Sequence, residues 1–400
     1  MNRLACVLCL ASLGGVATAA EVLSAERLAA GRAVLQSIYS LDYTGAERQC
    51  QQMIQAEPED PLGYVLLARD IWSEQLHKGQ GLSIDRFSGS EFYYGTPDQR
   101  IPVSPEAERR FQDVSERAIS LARARLARNP SDLDAMFLLG LILETRASYE
   151  FTIRASSWAA FKEGENALRL HRSVSQAAPD FADAKLALGV SYYAAASVPW
   201  TIRWLPYMLG YRGSKARGKQ ELEQVVEHGA LLADDARTVL VLLHFKDGEV
   251  DRAMRGLEEL GRRYPHNYLI PLELAAIELR QNQAQKAIDI DQRILAGAQN
   301  GAAQYAALEA SRVYLRLGVA TRASGDLQSS IAWLTRTLQE GASDLRLCTA
   351  AHLELGKTYD LRADRTAALE QYRLVLAAED FLGSRREAHS LLAHPYHPAH

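Results

Sequence analysis

The stretch LELGKTYDLRADRTAALEQY, residues 353–372, contains two helical patterns separated by a short polar turn. In the first pattern, Leu355-Gly356 is followed by Tyr359, so a small residue and an aromatic residue share one helix face. In the second pattern, Ala368 precedes Tyr372 by one helical turn. Small residues let two helices approach closely, and an aromatic side chain fills the space beside them. The stretch therefore predicts a tightly packed helical hairpin.

Similar patterns recur along the chain. Leu188-Gly189 is followed by Tyr192, and Gly140 and Gly318 are each preceded by leucine. Four further segments run from an alanine to a proline that lies 12 residues later, namely 46–58, 118–130, 167–179 and 253–265. A proline ends a helix because its ring clashes with the preceding turn and it has no N–H to donate. The chain is therefore predicted to consist of repeated hairpins.

Together these residues resemble the tetratricopeptide repeat, whose pattern is Leu-Gly-x-x-Tyr, then Ala-x-x-x-Phe, then Pro. Ala253 to Ala287 spans one repeat period of 34 residues (287 − 253 = 34). The resemblance implies an all-α fold, an α-solenoid in which about eight hairpins stack into a superhelix, because one hairpin cannot bury its apolar face alone. The expected hairpins lie near residues 26–58, 60–130, 132–179, 181–232, 234–265, 267–298, 304–341 and 344–379. A capping helix is expected at 384–392, within a segment 384–400 that also holds a His/Pro tail.

The first twenty residues differ from the rest of the chain. Arg3 precedes an apolar run from Leu4 to Val16, and Ala17-Thr-Ala-Ala20 follows this run. A basic start, a short apolar segment and small residues at the exit are typical of a secretory signal peptide, here residues 1–20. We therefore expect an exported protein, periplasmic or secreted, with the solenoid at residues 21–383. The signal peptide suggests a Gram-negative bacterium.

Three insertions interrupt the repeat, near residues 77–105, 149–162 and 198–219. The first is rich in glycine and aromatic residues, which is typical either of a functional loop or of a loop that covers an apolar seam. The second predicts a lengthened helix with Phe151, Trp158 and Phe161, whose helical spacing favours core packing over a binding site.

The third insertion combines aromatic and basic side chains, which suits a membrane interface, a partner surface or internal packing. Its candidate surface residues are Trp200, Arg203, Trp204, Tyr207 and Arg212.

The sequence offers little support for chemistry. The net charge of −4 gives no overall attraction for nucleic acid. Residues 213–220 approximate a phosphate-binding loop, but Gln220 replaces the hydroxyl residue and no strand precedes the loop. Histidines gather within 389–400, where a tail lacks the fixed geometry of a metal site. We therefore predict no enzyme, no cofactor, no metal site, no nucleic-acid partner and no small-molecule substrate.

In the family that this chain resembles, the first helices of the hairpins line a concave groove that binds peptides or protein partners. The resemblance implies groove positions of mixed charge at Asp134, Phe137, Glu144, Leu186, Tyr193, Arg237, His244, Arg312, Arg322, Lys357 and Asp360. We therefore expect a protein–protein interaction scaffold or adaptor of the cell envelope. The alternative is a peripheral membrane component anchored by the aromatic insertion 198–211.

Overall fold

The computed structural model describes residues 22–79, 100–197, 213–302, 305–306, 308–380 and 383–397. Within these ranges the chain forms seventeen α-helices and no strand. The first eight are α1 Ala25–Tyr39, α2 Tyr43–Ala56, α3 Pro61–Lys78, α4 Pro105–Arg128, α5 Leu133–Thr152, α6 Ser157–Ala177, α7 Lys185–Ser197 and α8 Lys215–His228. The other nine are α9 Ala233–Lys246, α10 Val250–Arg263, α11 Leu269–Arg280, α12 Ala284–Gln299, α13 Ala310–Ala323, α14 Leu327–Glu340, α15 Leu345–Leu361, α16 Arg365–Ala377 and α17 Ser384–Ala393.

Consecutive helices pair along the whole described chain. Each odd-numbered helix from α1 to α15 packs on the even-numbered helix that follows it, and each such pair also contacts the next pair. The last helix, α17, packs on α16 and α15. The predicted all-α solenoid of about eight hairpins with a capping helix is therefore confirmed.

The residues of the repeat pattern lie where two helices approach most closely. A Cβ atom added to Gly356 on α15 would lie 2.3 Å from the ring of Tyr372 on α16, and Tyr372 is fully buried. On the fourth hairpin, a Cβ atom on Gly189 would lie 2.9 Å from the carbonyl oxygen of Gly218. The phosphate-loop-like residue Gly218 therefore serves helix packing, because only glycine lets α7 and α8 come this close.

Aspartates and serines begin many of the helices. Asp132 accepts a hydrogen bond from the backbone N–H of Ala135, at 2.9 Å, and Ser104 accepts one from Ala107 at 3.1 Å. These caps satisfy N–H groups that have no partner inside the helix.

The insertions change the hairpins in different ways. The second one does not extend a single helix, because α5 ends at Thr152 and the chain turns through Ala155, whose φ is +51°, before α6 begins. Both helices of the third hairpin are lengthened instead. The prediction that the aromatic residues of this insertion pack in the core is also wrong for two of them, because Trp158 is 76% exposed and Phe161 is 45% exposed.

The other insertions are only partly described. In the first, residues 80–99 lie outside the described residues. Just after them, the side chain of Ile101 packs against Gly79 at the end of α3. In the third, residues 198–212 lie outside the described residues, and residues 215–219 already belong to α8.

The predicted signal peptide at residues 1–20 also lies outside the described residues. Among the described helices, none has both the length and the apolar character needed to cross a membrane.

The chain turns far enough for its first hairpins to contact its fifth and sixth. The ring of Tyr39 stacks on Tyr264 with centroids 5.0 Å apart, and Asn267 donates a hydrogen bond to the carbonyl oxygen of Tyr39 at 2.8 Å. Arg69 of α3 forms an ion pair with Asp235 of α9. These contacts join residues about 170 to 230 positions apart, so no residue pattern within one repeat predicts them.

Candidate partner-binding surface

The acidic groove positions of α5 have partners within the chain. The carboxylate of Asp134 lies 2.5 Å from Nη1 of Arg27 and 2.8 Å from Nη2 of Arg125, so it joins the first three hairpins. Oε2 of Glu144 lies 3.5 Å from Nε2 of His171, within the third hairpin. The carboxylate of Asp134 therefore contributes to the packing of the array, whereas Glu144 and His171 form an ion pair only when His171 is protonated.

Phe137, Leu186 and Tyr193 are buried, so the prediction that they line an exposed groove is wrong. The ring of Phe137 meets Phe181 edge to face at 4.9 Å, and the hydroxyl of Tyr193 donates a hydrogen bond to Asp247 at 2.9 Å. The repeat pattern correctly places each of them on the first helix of its hairpin, Phe137 on α5 and Leu186 and Tyr193 on α7. These side chains are covered by neighbouring hairpins, which periodicity cannot reveal.

The groove positions of α9 are paired as well. Arg237 forms ion pairs with Asp234 and with Glu259, the latter at 3.1 Å. Nδ1 of His244 lies 2.6 Å from Oε2 of Glu249. Neither side chain presents a free charge to a partner in this conformation.

Arg312 on α13 is the most open of the predicted groove arginines. Its side chain is 29% exposed, compared with 7% for Arg237 and 10% for Arg322. It lies 3.0 Å from the carboxylate of Glu309 and 3.5 Å from that of Asp344. Pairs at such separations and exposures are weak, so the guanidinium can exchange its partners for those of another protein.

The remaining predicted residues, Arg322, Lys357 and Asp360, come together at the end of the array. Glu354 lies between the two cations, 2.6 Å from Nη2 of Arg322 and 2.7 Å from Nζ of Lys357. Burial alone would raise the pKa of Glu354, but the charges of Lys357 and Arg322 outweigh it and hold that pKa below its usual value. We call the site formed by Arg322, Glu354, Lys357 and Asp360 the Tyr396 pocket.

Tyr396, from the predicted His/Pro tail, occupies this pocket. Its hydroxyl accepts a hydrogen bond from Nη1 of Arg322 at 2.9 Å, and its backbone N–H donates one to Oδ2 of Asp360 at 2.8 Å. The guanidinium carbon of Arg322 lies 4.9 Å from the ring centroid, and Nζ of Lys357 lies 5.7 Å from it. The pocket therefore contacts the ring, the hydroxyl and the backbone of one tyrosine.

One member of the pocket, Glu354, and its occupant, Tyr396, were not predicted from the sequence. Glu354 lies one turn before Lys357 on the same helix, a spacing that favours an ion pair and could have indicated it. Tyr396 has no comparable signal, because the return of a tail onto α13 and α15 depends on tertiary structure. The candidate residues of the third insertion, Trp200, Arg203, Trp204, Tyr207 and Arg212, lie outside the described residues. Within the described part of the chain, no group of three potential ligands could hold a metal ion.

The paired helices, the close contacts at the pattern residues and the capping helix define a tetratricopeptide-like α-solenoid. No family model and no curated protein matches the sequence. Solved structures with a similar fold include yeast Tom70, at 12% identity over 92% of this chain and 88% of that chain, with a TM-score of 0.37. Human IFIT1 shares 13% identity over 92% of this chain and 85% of that chain, with a TM-score of 0.44. A tetratricopeptide repeat protein from Parabacteroides merdae shares 15% identity over 82% of this chain and 99% of that chain, with a TM-score of 0.33. The likeness concerns the fold alone.

Proposed function

We propose that this chain is a non-enzymatic scaffold that binds a protein or peptide partner on the surface formed by α13, α15 and α17. One observation carries the proposal: this surface already holds the irregular segment His394–His397 through side-chain and backbone contacts. A backbone hydrogen bond together with a side-chain pocket is a common way to recognise an extended peptide. The part of the array from α1 to α10 suits this role less, because its groove positions are buried or paired within the chain.

We further propose that the protein acts in the cell envelope after export, as a periplasmic or secreted adaptor. The support is the signal-peptide pattern at residues 1–20. Cell fractionation and N-terminal sequencing of the mature protein test this part: a mature terminus near Ala20 supports export, and an intact terminus in the cytoplasmic fraction contradicts it.

The scaffold function is tested first by crosslinking in the native cell. A photoreactive residue replaces Arg312, whose side chain is partly open to solvent, and mass spectrometry identifies the adducts. A discrete protein adduct supports the proposal and names the partner. Only lipid adducts, or none under all growth conditions, would contradict it.

Arg312→Glu is then expected to weaken capture of the crosslinked partner by about three- to tenfold, because charges at the rim of an interface contribute about 1 kcal/mol. Arg293→Glu on α12 is the matched control, since it reverses an exposed charge on a second helix of a hairpin. Capture that is equal for both variants and the unmodified chain would rule out the α13 face.

Arg237 and Arg322 are less suitable for this test. Their side chains are buried against carboxylates, and a reversed charge would leave Asp234 or Glu354 facing another anion. Breaking such a buried pair costs about 3–5 kcal/mol, so weaker capture would only report damage to the fold.

A peripheral membrane component is the second candidate function. Its expected anchor, the insertion 198–211, lies outside the described residues, and the observation that favours this function is instead the exposed aromatic pair on α6. The rings of Trp158 and Phe161 stack with centroids 6.0 Å apart and project into solvent. An aromatic pair of this kind can insert at a membrane interface.

Trp158→Ser with Phe161→Ser is expected to abolish flotation with liposomes of phosphatidylethanolamine and phosphatidylglycerol if the membrane function holds. Leu345→Ser is the matched control, because Leu345 is 73% exposed on α15, far along the chain from α6. A chain that does not float before any substitution contradicts the membrane function.

A further inference from the structure

The Tyr396 pocket has a more specific chemistry than a general peptide groove, and the following inference rests on the proposed scaffold function. We propose that the pocket is a binding site for a tyrosine within an extended segment of a partner protein, and that Tyr396 occupies this site in cis and must leave before the partner binds.

The pocket recognises three features of a tyrosine at once. The ring lies near two cations, Arg322 and Lys357, and the face of an aromatic ring attracts a positive charge. The hydroxyl accepts a hydrogen bond from Arg322, which a phenylalanine could not do. The backbone N–H reaches Asp360, which a proline could not do.

The charges of the pocket favour a neutral ligand. The cations Arg322 and Lys357 are accompanied by Glu354, which contacts both, and Lys357 also lies 2.7 Å from Glu387. Asp360 supplies a further negative charge where the ligand backbone enters. A phosphorylated tyrosine would therefore meet carboxylates as well as cations, whereas a neutral phenol needs only the one donor that Arg322 offers.

The pocket does not depend on Tyr396 for its shape. Asp360 is held by Arg365 at 2.8 Å and by the hydroxyl of Tyr372 at 2.8 Å. Arg322 and Lys357 keep Glu354 as a partner when the tyrosine departs. A site whose side chains are already held in place binds with less loss of conformational freedom.

The segment that fills the pocket is held mainly by one side chain. His394, Pro395 and His397 are exposed, and only Tyr396 is partly buried. Just before the segment, Arg365 donates hydrogen bonds to the carbonyl oxygens of Leu391 and Leu392, which anchors the end of α17 beside the pocket. A short tether of this kind gives Tyr396 an effective concentration on the order of 1 mM, so it competes with a partner without being irreversible.

The test uses the full chain and a fluorescent synthetic peptide of residues 393–400, Ala-His-Pro-Tyr-His-Pro-Ala-His, with binding followed by anisotropy. The variant Tyr396→Ala is expected to bind the peptide with a Kd of about 0.1 mM, as expected for one anchor residue. The unmodified chain is expected to bind it about tenfold more weakly, because Tyr396 at about 1 mM effective concentration blocks the site. A peptide with phenylalanine in place of tyrosine should bind at least about tenfold more weakly to the variant, since it loses one hydrogen bond to a charged group.

Three results would overturn the inference. The first is no peptide binding by Tyr396→Ala when its melting temperature matches that of the unmodified chain. The second is equal binding by the two proteins, and the third is equal binding of the tyrosine and phenylalanine peptides. As a second variant, Arg322→Lys in the Tyr396→Ala background keeps the charge and should still weaken peptide binding. The guanidinium contacts the phenol through Nη1 and Glu354 through Nη2, whereas lysine carries all its N–H donors on one nitrogen and cannot reproduce that spacing.

The test also separates this inference from the scaffold function. Partner adducts at Arg312 combined with no peptide binding would leave the scaffold function standing and remove the tyrosine site. If the unmodified chain is a dimer in solution that Tyr396→Ala converts to a monomer, the tyrosine comes from a second copy, which contradicts occupation in cis.

Discussion

Replacing Asp183 with alanine is expected to lower the free energy of unfolding by at least about 3 kcal/mol, because it removes the acceptor of three backbone N–H groups. The carboxylate accepts hydrogen bonds from Ala230 at 2.9 Å, from Leu231 at 3.1 Å and from Leu232 at 2.7 Å. Asp183 is 1% exposed, so water cannot replace it without a rearrangement. Each buried N–H group that is left without a partner costs about 1–3 kcal/mol.

This carboxylate also supports the contact between the first hairpin and the middle of the array. The carboxylate holds the loop of residues 229–232, and this loop packs on α1. Arg32 donates a hydrogen bond to the carbonyl oxygen of Ala230 at 3.0 Å, and Leu231 packs against Gly31. Burial raises the pKa of Asp183, although the three N–H donors oppose this effect. The loss of Asp183 should therefore loosen α1 as well as α9.

Urea unfolding followed by circular dichroism measures the loss of stability, and hydrogen exchange at residues 230–232 and in α1 locates it. Asp180→Ala is the matched control, because Asp180 is exposed just before the same turn. Asp183→Asn keeps one acceptor oxygen and should fall between the two. If Asp183→Ala and Asp180→Ala unfold at the same urea concentration, the buried carboxylate does not organise this loop.

Asp70→Asn is expected to stabilise the protein at pH 8 and to leave its stability at pH 4 nearly unchanged. Asp70 lies on α3 and is 3% exposed, and its Oδ1 has no hydrogen-bond partner. Burial, with the nearby charges of Glu74 and Glu47, raises the pKa of Asp70 to about 8 from an ordinary value of 3.8. A neutral amide removes the cost of ionising this buried group.

The direction of the pH effect follows from proton binding. Between about pH 4 and pH 8 the folded chain retains a proton on Asp70 that the unfolded chain releases, so the free energy of unfolding falls as pH rises through this window. The slope is at most about 1.4 kcal/mol per pH unit, which is about 4 kcal/mol between pH 5 and pH 8. The unmodified chain should therefore lose stability toward pH 8 relative to Asp70→Asn.

Urea unfolding of both proteins across pH 4–9 measures this difference, with hydrogen exchange in α2–α4 as the local readout. Asp113→Asn on the exposed face of α4 is the control and should follow the unmodified chain. Parallel stability curves for Asp70→Asn and the unmodified chain would show that Asp70 keeps its ordinary ionisation in the folded state.

The pattern of small, aromatic and apolar residues within each repeat was sufficient to predict the hairpins of this protein. The pair Gly356 and Tyr372 was expected to meet across two helices, and the two residues are in contact. Such contacts depend on residues within one repeat, so helical periodicity and a small residue at the right spacing predict them. The same reasoning placed Phe137 and Tyr193 on the first helices but could not tell an open face from a covered one.

The candidate site depended on contacts between distant parts of the chain. Arg322, Lys357 and Asp360 were expected to bind a partner, but nothing in their spacing indicated that Tyr396 would lie among them. Likewise, no local pattern around Asp183 indicates that its carboxylate accepts hydrogen bonds from residues 230–232, which lie 47 to 49 positions later in the chain.

Residue patterns therefore account for the helices, their pairing and the number of hairpins, because each of these is decided within one repeat or between neighbours. The closure of the first hairpins on the fifth and sixth, the burial of half of the expected groove and the filling of the Tyr396 pocket were decided by the tertiary structure. The first two features depend on the sum of small rotations between successive repeats, and the third depends on the return of residues 394–397 onto α13 and α15. A small difference in each rotation changes which surfaces meet, and no local pattern in the sequence records that sum.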